Sequence, residues 1–212
     1  MKQILLIDRE FGAGGTTIAE ILAGRLKWKL FDEALTREIA RVANIPEELC
    51  RKREERKDPV LHNLIHLIWR GSFDRNLPSP DTAILDTDRL VCIIEKIIKK
   101  AAEERPCIIV GRGAPYFLRD RTDTFSVFLY ASRDLKYHRV LKRVGGNEQE
   151  AVELVDTQDE DRKKFVKHYF GHDWPNRQLF NAMFNTGMGD EQTADAIVRL
   201  LDAVNQKEAA KA

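Results

Sequence analysis

Short apolar runs alternate with longer segments of helical period along this chain. Residues 2–8 form an apolar run that ends in the carboxylate of Asp8. The glycine-rich FGAGGTT follows, and IAEILAGRLKWKLF then carries apolar residues at helical spacing. Strand, turn and helix are predicted in that order, with Ile18, Ile21, Leu22 and Leu26 packed on a sheet and Glu20, Arg25 and Lys27 in water. WKLF is a second strand-like segment, and residues 33–75 read as helical, with the charge cluster RKREERKD at 51–58 and the semi-apolar VLHNLIHLIW after Pro59. A proline-bearing loop at 76–80 leads to TDRLVCIIEKIIKKAAEER, an amphipathic helix with Leu90, Ile94, Ile97 and Ala101 along one face. PCIIVG reads as a buried parallel strand, GRGAPYFLRDR as a loop or short helix, and FSVFLYAS (125–132) as a strand of aromatic and branched residues. RDLKYHRVLKR is a basic helix stopped by Gly145 and Gly146, and a long charged helix restarts behind the cap-like Asn147. LFNAMFNT is a weaker strand, Asp190–Val204 a closing helix, and NQKEAAKA is expected to fray.

Strands alternating with helices in this way predict an α/β fold, a parallel sheet covered on both faces whose ligands sit at the carboxyl ends of the strands. IDREFGAGG, IVGRGA and YASRD all leave strands at that edge. A chain of 212 residues with 43% hydrophobic content is enough for one such domain carrying a small insertion.

Charge narrows the picture. Thirty-five basic against 34 acidic side chains leave a net charge of +1, so no global field attracts nucleic acid or an anionic membrane, and any anion site must be local. No stretch reaches the roughly 18 to 20 apolar residues of a membrane span, and MKQILLID lacks a signal-peptide pattern, so a cytoplasmic protein is expected. Cys50, Cys92 and Cys107 are scattered and odd in number, which argues for reduced thiols over a disulfide framework or a zinc site. His62 and His66 share a helix face but have no evident third ligand, and Trp28, Trp69 and Trp174 are expected to pack.

The candidate chemistry begins at the first turn. A phosphate loop needs backbone N–H groups converging on an anion at the positive end of a helix, with glycines permitting the close approach. Gly12, Ala13, Gly14, Gly15, Thr16 and Thr17 occupy that turn. Against the usual GxxxxGK[ST], Arg9 stands at the first glycine, Gly14 matches the second, Gly15 replaces the lysine and Thr16 matches the hydroxyl. From the residues alone the segment is either a phosphate loop or a merely tight strand-to-helix turn.

IDREFGAGGTTIAEILAGRLKWKLFDE resembles the opening of the cytidylate kinase-like proteins, a branch of the P-loop nucleoside monophosphate kinases whose loop often reads REFGxGG without the lysine. IVGRGAPYFLRD resembles that family's GRD region, DTQDEDR the DxxDxxR of the lid, and FNT the strand end before the last helix. Four motifs in a fixed order are far more specific than one. The resemblance implies a three-layer P-loop fold over residues 1–212, with a helical substrate-binding insertion at about 33–90 and a lid at about 139–170. It implies use of ATP and Mg2+ and phosphoryl transfer to a nucleoside monophosphate, most simply CMP. A non-catalytic nucleotide-binding module and a kinase of another small metabolite are the alternatives, the first favoured by Gly15 and the second by the unmatched insertion.

Phosphoryl transfer needs several negative charges neutralised, which arginine forks do best. Arg112, Arg139, Arg143 and Arg162 are the candidates. In the resemblance Arg112 matches the arginine on the acceptor phosphate, whereas Gly113 replaces an aspartate that would read the acceptor. Asp32 resembles the aspartate at the acceptor edge, or is a turn or cap residue. Arg139 and Arg143 lie one helical turn apart and Arg162 follows Asp159 by three, the pattern of a lid closing over phosphates or of a solvated, salt-bridged helix. Arg9 either supplies charge in place of the lysine or pairs with Asp8 or Glu10. Thr16 or Thr17 meets phosphate or hydrated magnesium, or caps the helix.

Overall fold

The structure, a computed structural model, describes residues 1–32, 35, 38, 39 and 87–210. Five strands form one parallel sheet: β1 (Ile4–Arg9), β2 (Lys29–Phe31), β3 (Cys107–Val110), β4 (Thr124–Tyr130) and β5 (Ala182–Asn185), in the order β2-β3-β1-β4-β5. The central strand β1 pairs Ile4 with Cys107 on one side and with Thr124 on the other. All six of its residues are buried, which is why it appears as an unbroken apolar run ending in two charges.

Strand alternation sends Leu5 and Ile7 to one face, against Ile18 and Leu22 of α1 (Gly15–Leu26) and Ile197 and Leu201 of the C-terminal helix. Ile4 and Leu6 go to the other face, against Ile94 and Ile98 of α2 (Thr87–Ala101). Phe165 and Trp174 complete that second core. The short α3 (Ala114–Phe117) follows β3, and α4 (Arg133–Arg143) is parted by the glycine pair from α5 (Glu148–Phe170). Asn147 caps α5 by accepting the N–H of Glu150 at 3.1 Å.

The expected fraying of NQKEAAKA is corrected. The last helix, α6 (Asp190–Ala209), takes in the segment as far as Ala209, and the Asn205 amide takes the N–H of Lys2 and donates to its carbonyl, tying the helix to the start of β1. The expected insertion at 33–90, with Cys50, the 51–58 charge cluster, His62, His66 and Trp69, lies outside the described residues except for Leu35, Glu38, Ile39 and the first turn of α2. Cys107 is buried, which pushes its thiol up to about 11 and keeps it protonated. Among the described residues, no helix is long and apolar enough to cross a membrane.

Candidate functional site

The parallel sheet sends the ends of β1, β3 and β4 to one edge, and the glycine turn lies there. After β1 the chain keeps one sheet-like bond, Glu10 N–H to the Leu129 carbonyl, and then curls. Gly12 and Gly14 both adopt positive φ, +80° and +83°. Packing adds a second constraint: a Cβ at Gly12 would stand 3.1 Å from the Lys136 backbone oxygen and from Val140 Cγ2, so α4 rests directly on the turn. The carbonyl of Gly14 receives Ile18 N–H, and no side chain caps α1. The first-turn amides are thereby left open at the positive end of the helix.

The capping role open to the threonines is therefore not taken. Thr17 is exposed, and Thr16 Oγ1 donates instead to Asp32 Oδ2 at 3.1 Å. Asp32 Oδ1 in turn accepts from Arg112 Nη1 at 3.2 Å, and the same nitrogen donates to the Val110 carbonyl at 2.9 Å. Asp32 links the mouth of α1 to the end of β3. Arg112 is held in the left-handed region at φ 57°, a conformation that the surrounding hydrogen bonds must sustain.

The segment expected to form a lid is docked on the turn. Asp159 Oδ1 accepts Phe11 N–H at 2.8 Å and Arg162 Nη1 at 2.9 Å, and Asp159 Oδ2 pairs with Lys136 at 3.1 Å. Arg162 also donates to the Arg9 carbonyl at 3.1 Å. Asp159 and Arg162 are buried, unlike Asp156, whose pairing with Arg133 lies in solvent, so the solvated-helix reading holds at Asp156 and fails at Asp159. Arg139 and Arg143 part company despite their spacing. Arg139 bonds Thr186 and Asp190 and lies over Gly14, while the Arg143 guanidinium stands over the Phe11 ring, 5.6 Å from its centroid.

Beside the turn, Asp8, Arg9, Arg112 and Arg162 line a cavity walled by aromatic rings of Tyr116, Phe165 and Trp174. Trp174 packs edge-on against Phe128, as expected of a packing residue, but it also donates Nε1–H to Asp8 Oδ2 at 3.0 Å. Asp8, Tyr116 and this second role of Trp174 escape sequence reasoning. No spacing connects Trp174 to Asp8, since the fold alone joins the end of β1 to the loop after α5. Burial pushes the Arg112 guanidinium down to about 10 despite Asp32, and Arg9 and Arg162 push in the same direction. Burial and then Arg9 likewise depress Arg162 and Arg143. Mutually repelling cations held out of water beside an open helix N-terminus are an arrangement suited to an anion of high charge.

Comparison with known proteins agrees with this geometry. Residues 4–188 match the model of the cytidylate kinase-like family. No curated protein matches the chain. A crystal structure of an uncharacterised protein from Eubacterium ventriosum superposes with a TM-score of 0.68 at 23% identity, over 96% of this chain and 99% of that one. Shikimate kinase from Acinetobacter baumannii, in complex with shikimate, gives 0.55 at 16% identity over 96% and 94%. Shikimate kinase from Bacteroides thetaiotaomicron gives 0.54 at 18% over 94% and 98%. With its five-stranded parallel sheet and these neighbours the molecule has the fold of P-loop kinases, a relationship that supports a phosphotransferase, and the chain belongs to the cytidylate kinase-like family.

Proposed function

We propose that this protein is a cytoplasmic, magnesium-dependent kinase that transfers the γ-phosphoryl group of ATP to a nucleoside monophosphate, most simply CMP. The observation that carries the reading is the cluster of buried guanidiniums, Arg9, Arg112 and Arg162, set against the uncapped start of α1. Amides of Gly12 and of Gly14 through Thr17 hold the donor phosphates, while the Ala13 N–H closes the turn on the Glu10 carbonyl at 3.2 Å. Arg112 meets the acceptor phosphate beside Asp32. Arg9, Arg139, Arg143 and Arg162 spread charge over the transferring group, so catalysis is positioning and electrostatics without a covalent enzyme intermediate. Thr16 Oγ1 and Asp32 Oδ2, two oxygen donors 3.1 Å apart at the helix mouth, suit a hydrated magnesium ion. The metal would neutralise phosphate charge there. The insertion at about 33–90 would close the acceptor side and the segment at about 139–170 would serve as the lid, all within one domain. Its partners are then nucleotides and a small acceptor, without nucleic acid or membrane.

One feature favours a different acceptor. Gly113 has φ +73°, and a Cβ there would stand 3.2 Å from Phe117 and Phe170, so this site is built without the aspartate expected to read a pyrimidine monophosphate. A kinase of another small metabolite is therefore the second reading, and the lysine-free loop leaves a non-catalytic nucleotide-binding module as the third. ADP release measured over a panel of nucleoside monophosphates and small hydroxylated acids tests all three. Turnover with CMP supports the first, turnover confined to another acceptor the second, and nucleotide binding without any turnover removes the kinase claim.

A further inference from the structure

We propose that the charge and the glycine of the phosphate loop have exchanged places: Arg9, where the usual pattern has its first glycine, supplies the cation, and Gly15, where that pattern has lysine, is the vacancy through which the Arg9 side chain passes. The inference rests on the nucleotide-binding reading above and names the residue that makes the lysine dispensable.

The path of the side chain carries the argument. A Cβ built at Gly15 would stand 2.8 Å from Arg9 Cγ and 3.3 Å from its Cβ and Cδ, so the first turn of α1 lies directly on the Arg9 methylenes. The guanidinium then reaches the end of β3, where a Cβ at Gly111 would fall 1.8 Å from Nη1 and 3.0 Å from Cζ. Two glycines from different loops thus wall one slot, and Arg9 fills it at 7% exposure. Neither neighbouring carboxylate neutralises the cation. Asp8 is taken by the Arg9 backbone N–H at 3.0 Å and by Trp174, and Glu10 by Lys136 at 3.0 Å. Among the described residues, no ion pair forms with the Arg9 guanidinium. A cation that lines a cavity without a counter-ion among the described residues is placed to receive an anion, and this one ends between the donor turn and Arg112. A lysine carried on α1 would rise from the donor side, whereas Arg9 enters from the sheet and presents a two-pronged donor to the gap that the transferred group must cross.

Four proteins test this: wild type, Arg9→Gly, Gly15→Lys, and the double variant Arg9→Gly/Gly15→Lys, which restores the order GxxxxGK[ST]. Calorimetric titration with tripolyphosphate and with ATP is the readout, and thermal melts verify folding. Arg9→Gly is expected to weaken tripolyphosphate by about tenfold or more, the loss of a charged hydrogen-bond donor. Gly15→Lys should weaken it as well, although it adds a cation, because Arg9 must leave its slot. The double variant should bind about tenfold more tightly than either single one. Tighter binding by Gly15→Lys alone, or a double variant no better than the weaker single, overturns the exchange. If Arg9→Gly does not fold, Arg9→Ala replaces it in both the single and the double variant. Gly111→Ala provides an independent arm, expected to lose affinity only where Arg9 is present, and equal losses in both backgrounds also overturn the proposal. Rescue in the double variant with no acceptor turned over by wild type sinks the kinase reading and leaves the exchange standing. A wild type that binds neither tripolyphosphate nor ATP overturns both.

Discussion

Replacing Asp159 by alanine probes how firmly α5 is fastened to the phosphate loop. Its side chain is 13% exposed and serves three donors at once: Phe11 N–H, the 9% exposed Arg162 and the 12% exposed Lys136. Alanine strands a buried guanidinium next to Arg9 and leaves a buried amide without an acceptor. Removing one partner of a buried ion pair costs about 3–5 kcal/mol, and an orphaned amide about 1–3, but the two penalties overlap because one oxygen serves both groups. A net loss of about 4 kcal/mol is expected, which for a chain of this size lowers Tm by roughly 8–16 °C. Asp159→Asn keeps an acceptor for Phe11 while losing the charge, so its loss should be intermediate. Asp156, three residues earlier in the same motif, pairs with Arg133 at 49% and 60% exposure, and Asp156→Ala should leave the melting curve unchanged. Thermal and urea melts of the three variants at one pH and protein concentration give the comparison. Equal losses at positions 156 and 159, or a loss at 159 below about 1 kcal/mol, would refute the idea that the helix is held by this carboxylate.

Two further outcomes follow from particular contacts. Arg112→Ala should impair acceptor use far more than ATP binding, since the guanidinium lines the cavity at the end of β3. Separate titrations of donor and acceptor give the split, and equal weakening of both counts against the assignment. Asp123 is held at about 2, below the usual carboxylate range, by hydrogen bonds from Arg121 at 2.7 and 2.9 Å and from Arg105 at 2.8 Å. A depressed folded pKa means that the stabilisation is complete above the ordinary carboxylate pKa and disappears as pH falls through about 2. Asp123→Asn should accordingly lower the urea midpoint at pH 7 and flatten its fall between pH 4 and 2. A variant whose acid limb is as steep as the wild type's would show that Asp123 is not its source.

Much of the frame is legible along the chain because its signals are local. A parallel strand buried on both faces must be largely apolar, and Ile4–Ile7 and Cys107–Val110 satisfy this throughout, Phe125–Leu129 at every position but Ser126, without help from distant residues. Gly12 and Gly14 are readable as a turn because positive φ is a property of a single residue, and Asn147 as a cap because its acceptor lies three residues from its donor. Helical spacing on α4 likewise places Arg139 and Arg143 one turn apart, yet it says nothing of their partners. One turns to Thr186 and Asp190 and the other to Phe11, because the docking of α4 across the loop decides what each meets. The same holds for Asp159 on Phe11, Trp174 on Asp8 and Asn205 on Lys2, contacts between residues more than a hundred positions apart. Local pattern along the chain therefore suffices for the succession of the described strands and helices, for the turn after β1 and for the supply of arginines. The tertiary structure alone decided which charges are buried, which are paired and which single cation lies in the slot between Gly15 and Gly111. Pattern and propensity act over a few residues, whereas desolvation and steric vacancy exist only once the parallel sheet has brought its carboxyl ends together.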